Sequence, residues 1–261
     1  MTKPQQAPPG ANKRRFSYPP SPAGAVVDVL HGVSVPDPYR WLEDSNNPET
    51  QAWIVAQNRL TRGFLDRIPE RAAIVQRLRE LWDFERFEAP FERGGRYFYF
   101  YNSGLQNQPA LYWLKALDAQ PEQLLDPNLL STDGTVALTH VEPTADGKLI
   151  AYDLSRAGSD WTEWRVRRVD DGQDLPDLIL WSKFSSVAWR KDGAGFYYSR
   201  YEEPKPGKAL SEANFFNKLY FHRLGQPQSA DALIYEERKN PKRSFGASTK
   251  AALGIFALLV N

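Results

Sequence analysis

At 261 residues, with 41% hydrophobic and 25% charged side chains, the chain has the length of one large or two modest domains and the make-up of a soluble globular protein. Thirty-three Lys and Arg against thirty-two Asp and Glu leave a formal net charge of +1, so nothing electrostatic points to nucleic acid or an anionic membrane as partner. The absence of cysteine excludes disulfides, thiolate metal sites and a cysteine nucleophile.

Residues 1–24 carry six prolines and no apolar run of signal-peptide length, and they read as a disordered Pro-rich lead. The short basic run Lys13-Arg14-Arg15 fits a solvated tail, and a cytoplasmic location is the default expectation. Residues 25–83 are expected to form a helical segment. Asn47 offers an N-cap and Pro48 the first helical position, after which Trp53, Ala56, Leu60 and Phe64 share one helical face. A second helix opens at Pro69 and carries Ile74, Val75, Leu78, Leu81 and Trp82 at helical spacing. Two amphipathic helices need a cover for their apolar faces, and Trp53 and Trp82 are expected to pack in a core.

From residue 84 to 261 the apolar period becomes two. Strands are predicted at 96–101, 110–114, 149–154, 163–169, 184–189, 196–201, 218–224 and 232–235, separated by Gly, Asp and Pro turns. They repeat. Turn glycines Gly95, Gly147 and Gly193 lie 52 and 46 residues apart, and each is followed by an aromatic in a second strand, Tyr112, Trp164 and Tyr220. The third unit is lengthened by "EEPKPGKALSEANF", the kind of insertion a surface loop absorbs. A third element closes each unit: "QLLDPNLL", "LPDLILW" and "DALIYEE". Repeats of this size with several strands each are the signature of β-propeller blades, the competing architecture being a large sandwich. The fold class is therefore mainly β, a partial propeller of about three to four blades preceded by an α-helical segment.

The residues of a catalytic centre do not assemble in this pattern. No Gly-x-Ser-x-Gly occurs, and the three histidines, His31, His140 and His222, are scattered, with His140 and His222 read as structural or solvated. No metal-ligand spacing is present, so neither metal nor cofactor is implied. Gly207-Lys208 is followed by Ala209 where a phosphate loop needs a hydroxyl. Acidic pairs such as Glu43-Asp44, Asp170-Asp171 and Glu236-Glu237 sit at turns or strand ends and read as solvated.

The stretches "HGVSVPDPYRWLED", "GGRYFYFYNSGLQNQPALY", "LLDPNLLSTDGTVAL", "SRAGSDW" and "VAWRKDGAGFYYSRY" closely resemble the N-terminal half of the prolyl oligopeptidase family over residues 25–245. Pro-Tyr-Arg-Trp-Leu-Glu-Asp together with Gly-Leu-Gln-Asn-Gln favours that branch over the oligopeptidase B type. The resemblance implies a seven-bladed propeller over an α/β-hydrolase domain, with the segment matching residues 25–83 packed on the hydrolase domain. It implies a serine endopeptidase that cleaves short proline-containing peptides after proline, the propeller gating access. The family's Ser, Asp and His lie in the C-terminal domain, so no catalytic residue carries over and the isolated chain is expected to be inactive.

By the same resemblance, Ser159, Asp160 and Trp161 lie in a loop expected to face the hydrolase domain. Val166 falls where animal members place a phenylalanine of the cavity wall, and Phe245 where another wall residue is expected. Near the end, "STKAALGIFALLVN" replaces the next Asp-Gly turn, with Ile255 to Val260 as a candidate strand, and a truncated fourth blade is expected. The hydrolase domain would then act in cis or in trans. The alternatives are a free-standing propeller binding module or a vestigial fragment without catalysis.

Overall fold

The structure is a computed structural model that describes residues 16–205, 209, 213–250 and 254–260, with residue 250 and residues 254–260 described through their backbone only. The expected disorder of residues 1–15 and part of the loop insertion at 202–215 lie outside the described residues. The chain falls into two compact units, one of residues up to Val75 together with Pro206–Ser211 and the other of Gln76–Lys205 with Glu212–Asn261.

In the first unit, β1 (Val27–Leu30) and β2 (Val33–Pro36) form a hairpin closed by His31 and Gly32, both at positive φ. The Arg40 guanidinium joins Asp28 of β1 to Asp37 just after β2, tying the hairpin to the single 3-10 turn Arg40–Glu43. α1 (Pro48–Leu65) begins as its sequence predicts: the Asn47 side chain accepts the backbone N–H of Glu49 at 2.8 Å, satisfying one of the donors a helix start leaves open. Before the hairpin, Gly24 donates to the Pro38 carbonyl at 2.7 Å, and the Pro19 carbonyl and Ser21 hydroxyl accept from Gln57 and Trp53 of α1.

α2 (Arg71–Trp82) follows, two residues later than its sequence start. Its apolar stripe is uncovered among the described residues: Ile74, Leu78, Leu81 and Trp82 are each at least half exposed. Neither tryptophan reaches the expected core position: Trp53 is half-buried, and Trp82 is exposed, its ring meeting the Arg86 guanidinium at 5.7 Å in the open. Amphipathic spacing identifies a face to be buried, but the burying surface must come from elsewhere in the fold. Replacing Trp82 by Gln should change unfolding free energy by no more than about 0.5 kcal/mol in a urea titration. A loss of several times that would mean the ring is covered.

The second unit is built from antiparallel sheets whose strands follow chain order. β3 (Arg86–Phe87) and β4 (Phe91–Arg93) both pair with β5 (Arg96–Asn102), which continues to β6 (Ala110–Leu114) and β7 (Glu122–Leu125). The next sheet is β8 (Val136–Pro143), β9 (Leu149–Arg156), β10 (Trp161–Arg168) and β11 (Asp174–Lys183). The third is β12 (Ala188–Trp189), β13 (Gly195–Arg200), β14 (Lys218–Arg223) and β15 (Ala232–Glu236). A hairpin of β16 (Ser244–Lys250) and β17 (Gly254–Val260) opens a fourth. Such up-and-down meanders are propeller blades.

Packing explains the repeat. The residue three positions after each turn glycine, Phe98, Ile150 and Phe196, is wholly buried. Alternate residues serve opposite neighbours, as the pleat requires. Ile150 and Tyr152 of β9 join Phe98, Leu111 and Trp113 in the first core, while Ala151 between them joins Trp164, Phe196 and Tyr198 in the second. Tyr197 turns the other way and meets Leu219 and Phe245 in a third.

The predicted strand over 184–189 shrinks to Ala188–Trp189, because Phe184 takes φ +50° and leaves extended geometry. β8, the first strand of the second blade, carries polar Thr139, His140 and Glu142 and offers no clean alternation, so its pattern went unread.

Candidate functional site

The loop between β9 and β10 is held in shape by short-range bonds. Ala157 and Gly158 both take positive φ, the Ser159 N–H donates to the Arg156 carbonyl at 3.0 Å, and the Ser155 hydroxyl donates to the Ser159 carbonyl at 2.6 Å. The Ser159 hydroxyl in turn accepts the Trp161 N–H at 3.1 Å. This loop places Asp160 3.3 Å from the Lys183 ammonium, across the pair formed by Trp161 and Lys183 in neighbouring strands. The ammonium lies 5.3 Å from the ring centres of both Trp161 and Phe184, within range of the attraction between a cation and an aromatic face.

Around this pair the aromatic surface widens. Trp161 meets Trp181 edge-on at 5.8 Å and Tyr201 at 6.1 Å, and the Tyr201 N–H donates to the Trp181 carbonyl at 3.0 Å. Burial pushes the Tyr201 phenol up, so it stays protonated and neutral. Phe184 is 77% exposed. Both Trp181 and Phe184 hold positive φ, 62° and 50°. That region is hostile to bulky side chains, and each such residue stores about 1–3 kcal/mol of strain that the surrounding bonds must over-determine.

Ser159, Asp160 and Trp161 are therefore brought together, and they are joined by Trp181, Lys183, Phe184 and Tyr201, which the sequence reading missed. The missing signal is conformational: nothing in "LILWSKF" tells that two aromatics leave the extended region. Val166 and Phe245 lie apart from this loop, in the packing between blades. Val166 sits two residues beyond Trp164 on the same face of β10, with no exposed surface, packed between the second and third blades. Phe245 is 3% exposed, its N–H held by the Asn217 side chain at 2.9 Å and its ring edge-on to Tyr235 at 5.0 Å. Strand alternation aims both at a neighbouring blade.

The site offers cationic and aromatic recognition but no nucleophile paired with a base. His140 lies on the second blade with Nδ1 3.1 Å from Asp153, which pulls its pKa up against a smaller effect of burial, and it stacks on Trp164. His222 is wholly enclosed. At the opposite strand ends, a cavity of about 770 Å³ is lined by Glu92, Arg93, Glu142, Trp189, Arg190 and Thr249 among others. There burial pushes the Glu142 carboxyl up, with the Arg93 charge opposing. No helix among the described residues is long and apolar enough to cross a membrane.

Comparison with known proteins gives a consistent picture. The family model described as "Prolyl oligopeptidase, N-terminal beta-propeller domain" matches residues 19–252. The prolyl endopeptidase of Elizabethkingia meningoseptica is 38% identical over 236 residues, covering 90% of this chain and 33% of that protein. A dual function macrocyclase-peptidase of Amanita bisporigera is 32% identical over 259 residues, covering 88% of this chain and 35% of its own length. Among solved structures, one from a study of two prolyl endopeptidases and their inter-domain dynamics superimposes with a TM-score of 0.79 at 34% identity, over 93% of this chain and 36% of that one. Prolyl oligopeptidase B from Galerina marginata, bound to a 35-residue substrate, gives 0.76 at 28% identity. This chain spans about a third of the length of these relatives.

Proposed function

The chain belongs to the prolyl oligopeptidase family through its N-terminal β-propeller portion, and from that premise we propose that it is the access-controlling part of a serine peptidase that cleaves short peptides after proline. The Ser, His and Asp of the reaction belong to an α/β-hydrolase domain, supplied in cis or in trans. The face built by Asp160, Trp161, Trp181, Lys183 and Phe184 is the surface turned toward that domain and its peptide.

One observation carries this reading: two bulky aromatics are held at positive φ on a single blade end, and one of them is 77% exposed. Strain of that kind persists where a surface is shaped for something other than its own stability. An exposed aromatic beside a half-neutralised ammonium also suits an interface, where Trp, Tyr and Phe are enriched.

The test supplies the missing part. The 261-residue chain, which contains no Gly-x-Ser-x-Gly, is mixed with the remaining two thirds of the Elizabethkingia enzyme, and binding and hydrolysis of a proline reporter peptide are measured. The chain alone should give no turnover, the mixture should bind and cleave, and Phe184→Asp should weaken binding at least tenfold. Turnover by the chain alone after removal of host peptidases overturns the proposal, as does binding indifferent to Phe184→Asp.

A further inference from the structure

Beyond that reading, and independent of it, we infer that the first unit contains a polyproline-II recognition site occupied by the chain's own residues Pro19–Pro22. The segment reads Tyr18-Pro19-Pro20-Ser21-Pro22. Each proline fixes its own φ near −65° and pushes the residue before it out of helical geometry, so the stretch is built for the left-handed polyproline helix. That helix has three residues per turn and no internal hydrogen bonds, which leaves every carbonyl free to accept from outside.

The groove reads that geometry. The Trp41 indole N–H donates to the Pro22 carbonyl at 2.9 Å, and the Gln57 amide donates to the Pro19 carbonyl at 3.4 Å. These carbonyls are three residues apart, one full turn, and so lie on the same side of the segment. Between them the Trp53 indole N–H donates to the Ser21 hydroxyl at 2.9 Å. Trp53 and Gln57 are four apart on α1 and share one helical face. The Trp41 and Trp53 rings stand at 87° with centres 6.3 Å apart, giving two perpendicular apolar walls. Beside the strap, an apolar space of about 590 Å³ stays open between these walls, Ala56 and the rings of Pro19, Pro20 and Pro22.

Aromatic walls with one indole and one amide donor aimed at the carbonyls of a Pro-x-x-Pro segment are the recognition chemistry of proline-rich peptides, whose preformed helix costs little entropy to bind. The ligand class of the surface made by Trp41, Trp53 and Gln57 is therefore a Pro-x-x-Pro peptide, and its resident ligand is the chain's own strap.

The experiment compares the wild-type chain with a full-length strap variant, Pro19→Gly, Pro20→Gly, Pro22→Gly, using a synthetic peptide FSYPPSPAG and a control with every proline replaced by alanine. Tryptophan fluorescence reports binding and circular dichroism confirms that α1 persists. The strap variant should bind the proline peptide saturably and at least tenfold more tightly than wild type, because the cis segment competes at an effective concentration of about millimolar. Adding Trp41→Phe, which keeps an aromatic wall and deletes the N–H donor, should weaken binding about five- to tenfold. Equal signals from the proline and alanine peptides overturn the inference, as does equal affinity of wild type and strap variant. As a check that needs no variant, the Trp41 and Trp53 indole protons of wild type should exchange with solvent more slowly than those of a free indole; exchange at the free rate is equally fatal.

Discussion

Replacing His222 by Ala should destabilise the chain by about 3–5 kcal/mol, the cost of removing one partner from a buried charge cluster. His222 lies on β14 in the third blade, with no exposed surface. Its Nδ1 is 2.7 Å from an oxygen of Asp231, and its Nε2 is 2.9 Å from an oxygen of Asp177 on β11, in the second blade. Both ring nitrogens face carboxyl oxygens, which favours the doubly protonated imidazolium ring. The surroundings are built for that charge. The Gly225 N–H also donates to Asp177, the Tyr198 hydroxyl donates to the second oxygen of Asp231 at 2.7 Å, and Gln228 reaches the Tyr198 hydroxyl at 3.3 Å. The second oxygen of Asp177 is buried without a partner among the described residues. Deleting the imidazolium leaves two buried anions facing each other between the blades.

The same cluster sets a pH dependence with a definite sign. Burial pushes the His222 pKa down, but Asp231 and Asp177 pull it up further and the net direction is upward. A group whose folded pKa is raised contributes its full stability below its unfolded value of about 6.5 and loses it as pH climbs through the folded value. Tyr198, pushed up by burial and then by Asp231, stays protonated through this window. The wild-type melting temperature should therefore fall as pH rises above about 6.5, and His222→Ala should lack that component. Parallel pH profiles for the two proteins would show that His222 is not the titrating group.

Gly94→Ala and Gly95→Ala, adjacent in one turn, should differ sharply. Both glycines take positive φ, 60° and 77°, so alanine at either costs about 1–2 kcal/mol of backbone strain. At Gly95 the added methyl meets nothing within 4 Å, and the cost stops there. At Gly94 it would lie 2.2 Å from the Asp146 carbonyl carbon and 2.3 Å from its oxygen, in the corresponding turn of the next blade. Backbone cannot rotate out of the way as a side chain does, so the turns must separate, adding about 1–3 kcal/mol. Urea denaturation of the two variants measures the difference directly. Equal losses would mean that the first two blades do not touch through these turns.

Much of this architecture is written locally. The N-cap Asn47 and Pro48, the turn glycines and the alternating aromatics of β5 and β13 each specify an element within a few residues, and the recurrence of that order along the chain is what identifies blades. Strands such as β8, with polar residues on both faces, were not legible because their burial is supplied by neighbours. The candidate site was legible only in its loop. Ser159, Asp160 and Trp161 could be placed from a short stretch, whereas Lys183 and Phe184 join them through strand pairing more than 20 residues away.

By itself, then, the sequence determined the period, the turns, the blade repeat and the family, all properties of short stretches and their order. Only the tertiary structure decided which of several equivalent apolar residues are covered: Trp164 and Val166 are enclosed between blades, while Trp82 and Phe184 stand open. It also decided that His222 is held between two carboxylates, because its partners lie 9 and 45 residues away in sequence. The physical reason is common to both. Alternation along a strand says that it has two faces, but what covers each face, and which charges meet across it, depends on the neighbouring sheet.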